Sequence, residues 1–338
     1  MTERVLTGDR VTGKLHLGHY AGSLQNRVLL QDQYESLVFL ADVQALTTHF
    51  ERQEQIRTNI REMTLDYLSV GIDPEKSTIF IQSMIPEIAE LTVYFSMFVS
   101  VNTLRHNPTI KAESQGRGLD ELYYGFLGYP VSQAADIAIC KATIIPVGDD
   151  QLPHLELARK IVRRFNELYQ PILVEPQAII SNTPRLVGTD GNAKMSKSLG
   201  NAIELDSSAE DIAYRIKRAV TDPARVHKND PGHPEICPIY AYHRAFGPDQ
   251  LTEIREGCER GTMGCTACKE RITLTLEKLI APMRERRAFY ASRPHLVDDI
   301  LMTGTKYTRG IASATMKEVR EAMSLDHFSL SAMERGML

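Results

Sequence analysis

No apolar run in this 338-residue chain approaches the length that spans a bilayer, and the opening Met1-Thr2-Glu3-Arg4 lacks a signal peptide's charged and apolar regions. The expectation is a cytoplasmic chain with no membrane partner. A surplus of positive charge is missing too, since 39 Lys and Arg stand against 43 Asp and Glu for a formal net charge of -4. Non-specific coating of nucleic acid draws on displaced counterions and needs the opposite balance, which leaves only a local basic patch open. Cysteine is scarce, at five residues. In a cytosolic chain these are not expected to form disulfides, so any cluster points to metal or redox chemistry. Internal repeats and low-complexity tracts are absent as well, which excludes a repeat architecture.

What is present is an ordinary globular composition, 43% hydrophobic and 24% charged, on a chain too long for one small core. The first half alternates short β-branched runs with amphipathic stretches, the pattern of an α/β fold with a parallel sheet covered by helices. Val5-Leu6-Thr7, Val38-Phe39-Leu40-Ala41, Thr78-Ile79-Phe80-Ile81 and Thr143-Ile144-Ile145-Pro146-Val147 read as strands, and Gln53 to Val70 and Ile85 to Val101 as helices. The polar stretch from His106 to Asp120, with Pro108, Gly116 and Gly118, reads as an exposed, mobile loop. After about Asn201 strand-like runs give way to charged amphipathic segments. That shift predicts one domain over residues 1–200, with a helical insertion around 85–128, and a smaller all-α domain over 201–338. Ala312, Met316, Val319 and Met323 share one helix face as a packing stripe, so the C-terminal helix is expected to pack back.

The first strand runs into Gly8-Asp9-Arg10-Val11-Thr12-Gly13, after which Leu15-His16-Leu17-Gly18-His19 opens a helix. Gly18 lets a nucleotide lie against the backbone, while the helix N-terminus and the imidazoles of His16 and His19 offer donors to phosphate oxygens. Alone, such a tetrapeptide is equally compatible with a structural turn. Lys194-Met195-Ser196-Lys197-Ser198 follows the flexible Gly188-Thr189-Asp190-Gly191-Asn192, so two lysines and two hydroxyls can close over a triphosphate. Nucleotidyl transfer needs little covalent help from protein, and mobile lysines supply the charge that a developing pyrophosphate requires. Standing by itself, this loop would read as solvated surface.

Taken in order across an α/β pattern, the two motifs resemble those of the class I aminoacyl-tRNA synthetases. In that family the pair brackets ATP on a Rossmann-like domain. Tyr129-Pro130-Val131-Ser132-Gln133-Ala134-Ala135-Asp136 reads as a loop entering a helix, with Tyr129, Gln133 and Asp136 towards one face. A buried carboxylate there suits a ligand N–H or O–H donor and rejects analogues that lack it, although a local cap or ion pair is the plainer alternative.

This element, with Ile145-Pro146-Val147-Gly148-Asp149-Asp150-Gln151 and His154-Leu155-Glu156-Leu157, is similar to the tryptophanyl-tRNA synthetases. The resemblance implies that Asp136 accepts the indole N–H, that Tyr129 and Gln151 hold the amino group, and that Leu6, Gln44 and Gln133 belong to the same pocket. It places Gly148, Asp149 and Asp150 along the ATP ribose, Leu186 near the adenine, and Arg10, Val11 and Thr12 on the opposite side of the nucleotide. It also covers Leu40-Ala41-Asp42-Val43-Gln44-Ala45-Leu46-Thr47 and Thr221-Asp222-Pro223, nearly the whole chain. Gln44 stands where the family commonly has His, Val11 where it often has Pro, and Gln133 where many bacterial members have Met.

The implied reaction joins L-tryptophan to tRNA(Trp) with ATP and Mg2+, in a homodimer whose 201–338 region binds the anticodon. In it Lys194, Lys197, Thr12, His16 and His19 are the catalytic set, and Arg10, Val11, Gly18, Met195, Ser196 and Ser198 help to bind ATP. A tyrosyl-tRNA synthetase is the nearest rival, since Tyr129, Gln133 and Asp136 reproduce its Tyr-x-x-x-Gln-x-x-Asp element. Against it, Leu6 occupies the first-strand position where bacterial tyrosyl enzymes place a Tyr. More distant rivals are a redox-sensing or regulatory paralogue that has lost charging, and a generic nucleotidyltransferase.

Cys237, Cys258, Cys265 and Cys268 form the cluster, closing on a Cys-x-x-Cys. Four thiolates can hold zinc or a cubane iron-sulfur centre, and the absence of paired Cys-x-x-Cys motifs shifts the reading towards iron and sulfur. A subset of bacterial tryptophanyl-tRNA synthetases looks similar here, with a [4Fe-4S] cluster in the anticodon-binding domain; Zn2+ and unligated thiols compete with that assignment. Cys140 lies in an apolar helix and reads as a buried, inert thiol.

Overall fold

The structure is a computed structural model that describes residues 3–116, 122–148, 151–180, 186–191 and 195–327. Its centre is an all-parallel sheet of β1 (Arg4–Arg10), β2 (Glu35–Ala41), β3 (Ser77–Ile81), β4 (Ile144–Val147) and β5 (Gln177–Ile180). Helices cover both faces, so β2 reads as a near-continuous apolar run rather than an alternating one, while β1 carries its buried residues in its first half. The order β3-β2-β1-β4-β5 puts β1 beside both β2 and β4, with Leu6 opposite Leu37 and Val5 opposite Ile144. Strand order therefore reverses between β1 and β4, which opens a crevice beyond their carboxyl ends.

After β1 the chain forms α1 (Leu17–His19), a wide π turn at Tyr20–Leu24 and α2 (Gln25–Leu30). The remaining helices of the first half are α3 (Asp42–His49), α4 (Glu54–Val70), α5 (Pro86–Ser96), α6 (Val101–Arg105), α7 (Pro108–Gly116), α8 (Tyr124–Ile139) and α9 (Leu152–Leu168). Then come α10 (Ala209–Arg218), α11 (Pro238–Phe246), α12 (Leu251–Glu259), α13 (Cys265–Ala291) and α14 (Pro294–Ala322).

Several expectations need correction. The segment expected as a mobile loop from His106 holds α7, because Pro108 suits a first helical turn and the Asn107 Oδ1 caps the Thr109 and Ile110 N–H groups at 2.9 and 3.4 Å. Residues 117–121 of that stretch lie outside the described residues. Tyr129 to Asp136 is not a loop entering a helix but the interior of α8, with Pro130 inside it. The helix expected from Ile85 to Val101 is two, α5 and α6, the second capped by Ser100. Strand β5 carries no clear sequence signal because it is a short edge strand with two exposed ends.

The last two helices return to the first half of the chain. α14 lies along the edge strand β3, where Thr305 Oγ1 accepts the Ile81 N–H at 3.3 Å. A Cβ at Gly304 would sit 2.0 Å from the Ile79 carbonyl oxygen, so only glycine permits this approach. Ala312, Met316 and Val319 of α14 are buried in the same cluster as α5 and α8 residues. α13, 27 residues and about 40 Å long at 1.5 Å per residue, runs from Cys265 to the neighbourhood of α4.

Candidate active site

A cavity of about 360 Å³ opens at the β1–β4 switch point. β1 contributes Leu6, Thr7 and Asp9 to its wall, and the end of β4 contributes Ile145, Val147 and Gly148. Gln133 and Asp136 close one side from α8, while His16, Gly18, His19, Leu186 and Met195 close the other. The π turn lies at the rim through Gly22 and Ser23, in keeping with the habit of such irregularities to sit at functional sites. The cavity size suits a small-molecule site.

The two motifs meet here. His16 caps α1, its Nδ1 accepting the Gly18 N–H at 3.1 Å, and its own backbone N–H donates to His19 Nδ1 at 3.2 Å. The preceding loop is held from below, since the buried Asp66 accepts the Leu15 N–H at 2.6 Å and pairs with Arg287 of α13 at 2.5 Å. Lys14 pairs with Asp206 at 2.6 Å, and the Leu17 N–H donates to the Ile203 carbonyl at 2.9 Å. Lys197 reaches back across this junction to donate to the Lys14 carbonyl. Gly13 makes room for it, with a φ of +117° and a position where a Cβ would stand 2.6 Å from the Lys197 ammonium. Burial holds the Lys197 pKa below its ordinary value.

At the opposite end Asp136 is 2% exposed. Its Oδ2 accepts Gln44 Nε2 at 2.7 Å, and Gln82 Nε2 donates to both its oxygens at 2.8 and 3.0 Å. Burial pushes its pKa up to about 7 against these hydrogen bonds. Leu6 and Ile145 make the neighbouring wall apolar.

Other expected residues stand beside the cavity. Arg10 pairs with Glu113 at 3.1 Å and lies over the Tyr129 ring, whose hydroxyl meets His154 Nε2 at 2.7 Å and donates to Glu113 at 3.3 Å. Val11 is a core side chain, Thr12 is exposed, and the Ser196 N–H donates to Asn201 at 2.7 Å. Gln151 lines the wall next to Gly148. Asp149, Asp150 and Lys194, together with the side chain of Ser198, lie outside the described residues.

Sequence reasoning overlooked Thr7, Asp9, Arg27 and Gln82. Thr7 Oγ1 is buried at the wall with no hydrogen-bond partner among the described residues. Asp9 accepts Arg27 at 2.6 Å and the Tyr67 hydroxyl at 2.8 Å. Burial works to raise the Asp9 pKa, but the Arg27 guanidinium outweighs it and holds the carboxyl low. Asp9 and Gln82 sit at or just past the carboxyl ends of β1 and β3, where the switch-point rule directs attention; Arg27 carries no local signal.

The four cysteines line a second, small cavity of about 20 Å³ with Arg225, Ile239 and Met263. Cys265 and Cys268 come from the first turn of α13, Cys258 from α12, and Cys237 from the start of α11. Burial and the three other thiols push Cys268 up to about 12. Among the described residues no group of three or more His, Cys, Asp or Glu is placed to hold a single metal ion. Cys140, separately, is buried with its thiol pushed up to about 12, as an inert core residue would be.

Residues 2–281 match the family described as tRNA synthetases class I (W and Y). The chain is 47% identical over 328 residues to the tryptophan–tRNA ligase of Thermotoga maritima, covering 95% of this chain and 99% of that one. It is 48% identical over 335 residues to the tryptophan–tRNA ligase of Streptococcus mutans, covering 96% and 98%. Among solved structures, it resembles a tryptophanyl-tRNA synthetase from Campylobacter jejuni complexed with ADP and tryptophan. That match has a TM-score of 0.83 at 31% identity and covers 95% of this chain and all of the other.

Proposed function

The chain belongs to the class I tRNA synthetases of the tryptophan and tyrosine group and acts as a tryptophan–tRNA ligase, and on that premise we propose how its own residues divide the work. The observation that carries the proposal is the single cavity joining Asp136 at one end to His16, Gly18, His19 and Met195 at the other. It lets an amino acid and a nucleotide share one crevice.

In this reading the indole lies between Leu6 and Ile145 with its N–H donated to Asp136, and Gln133, Gln151, Tyr129 and Gln44 complete the amino-acid end. The tryptophan carboxylate attacks the α-phosphorus of magnesium-bound ATP in line, pyrophosphate leaves, and the terminal ribose hydroxyl of tRNA then takes the acyl group as AMP departs. No protein nucleophile is required. Gly148, Asp149, Asp150 and Leu186 hold the nucleoside, and Arg10, Val11 and Thr12 approach it through backbone and side chain from the β1 side. His16, His19, Lys194, Met195, Ser196, Lys197 and Ser198 enclose the phosphates. Lys197 leaves the Lys14 carbonyl for the pyrophosphate, which it stabilises as charge develops. Residues 1–200 carry this chemistry, and 201–338 read the anticodon in a cytoplasmic homodimer.

We further propose that Cys237, Cys258, Cys265 and Cys268 ligate a [4Fe-4S] cluster. Bound there it would tie α11, α12 and α13 together, a structural contribution to the tRNA-binding half. Anaerobically purified chain should contain iron and sulfide in about fourfold excess over protein with a broad visible absorption band; stoichiometric zinc without the band would overturn this part. Labelled tryptophan should pass to tRNA in vitro. Adenylate formation without any transfer would instead favour a regulatory paralogue.

A further inference from the structure

Asp136 is not a bare carboxylate at the end of a pocket. An ionised carboxylate offers about four lone-pair sites, and three are already engaged: Gln82 Nε2 on Oδ1 at 2.8 Å and on Oδ2 at 3.0 Å, and Gln44 Nε2 on Oδ2 at 2.7 Å. One acceptor site is left, on Oδ1. Gln82 cannot turn away, because its own Oε1 accepts the backbone N–H of Gln44 at 3.2 Å and so directs the Nε2 at Asp136. Gln82 is itself 2% exposed, and it enters the site from the turn just beyond β3.

Charge decides why amides serve here. Burial drives Asp136 towards its neutral form, and Asp42 of α3 adds repulsion. Asp42 is fixed nearby, its Oδ1 accepting the Val43 and Ser83 N–H groups at 3.0 and 2.9 Å. Cys140, which caps the end of α8, lies near Asp136 with its thiol pushed up by burial. A protonated Asp136 would fill its last acceptor site with its own hydrogen and present a donor to a donor. A Lys or Arg partner would prevent that, but it would also satisfy the carboxylate without any ligand. Neutral amide donors favour the ionised form and leave its negative charge for the substrate.

We propose that Gln82, seconded by Gln44, is a positioning residue for amino-acid selection, holding Asp136 ionised with one acceptor site directed at the indole N–H. This rests on the reading of Asp136 as the indole acceptor. Tryptophan binding to the full chain then tightens as pH rises through about 7, because the ionised form is the competent one.

The test follows the KM for tryptophan in ATP-pyrophosphate exchange between pH 6 and 9 for wild type, Gln82→Leu and Gln44→Leu. The KM for ATP serves as the control for folding. Gln82→Leu should raise the tryptophan KM about tenfold at pH 7, leave the ATP KM unchanged, and move the pH at which the tryptophan KM levels off upwards by about one unit. Gln44→Leu should do the same to a smaller extent, and it carries the test if Gln82→Leu fails to fold. A constant factor in KM with an unmoved pH profile would overturn the proposal. Asp136→Asn is assayed in parallel against 3-(benzothiophen-3-yl)alanine, whose ring has sulfur in place of the indole N–H. If that variant still prefers tryptophan as strongly as wild type, the reading of Asp136 itself fails. Lost preference in Asp136→Asn with an unmoved profile in Gln82→Leu overturns only the role of Gln82.

Discussion

Replacing Lys197 by Ala should slow tryptophanyl-adenylate formation by roughly 10²- to 10³-fold, the usual consequence of removing one preorganised donor from a developing negative charge. Tryptophan affinity should hardly change, because Lys197 lies with the phosphate motifs and Asp136 at the far end of the cavity. The chain contains no tryptophan residue, so the fluorescence of the ligand, excited above the tyrosine band, can be read without a background from protein tryptophan. Single-turnover pyrophosphate release then gives the rate, and a fluorescence titration the affinity. A large loss of affinity with an unchanged rate would place Lys197 elsewhere. At rest, among the described residues, the Lys197 ammonium donates to the Lys14 carbonyl, and burial disfavours its charge. An arriving triphosphate offers it several oxygens and a full opposite charge, so release from Lys14 is downhill once ATP is bound.

Asp136→Asn should have the next largest effect, lowering kcat/KM for tryptophan by about 10²-fold while leaving the ATP KM in place. The substitution preserves shape but sets a third amide against those of Gln44 and Gln82, so one donor must go unsatisfied in a buried site. Discrimination against an analogue without the indole N–H should fall with it, because the wild-type penalty for such an analogue comes from leaving the carboxylate unpaired. Steady-state exchange with both substrates measures this. A variant with wild-type kcat/KM would exclude Asp136 from the pocket.

The sheet was legible because strands buried on both faces are nearly continuous apolar runs, and β1 to β4 each contain the run that marks them. β5 was not, since an edge strand needs only one apolar pair and Gln177–Ile180 offers little more. α7 was misread because Pro108 punctuates a helix start as readily as a loop, and only the Asn107 cap decides which. The Asp136 position was visible as a carboxylate at helical spacing from Tyr129 and Gln133. Its partners were invisible: Gln44, Gln82 and Asp136 come together through three separate elements. The Asp66–Arg287 pair under the first motif joins residues 221 positions apart, which no local pattern encodes. The cysteines were legible as a cluster because Cys258, Cys265 and Cys268 lie close together in sequence, across the end of α12 and the start of α13, while Cys237 needs the fold to bring it in.

The most direct measurement of the central claim is ATP-pyrophosphate exchange by the purified chain with tryptophan and with tyrosine side by side. Leu6, Ile145 and the acceptor site of Asp136 form an apolar slot with one carboxylate at its end. Exchange should be robust with tryptophan and far weaker with tyrosine, whose smaller ring fills less of the apolar wall at Leu6 and Ile145 and so brings its hydroxyl to Asp136 with less buried contact. Exchange supported by tyrosine alone, or equally by both, would contradict it.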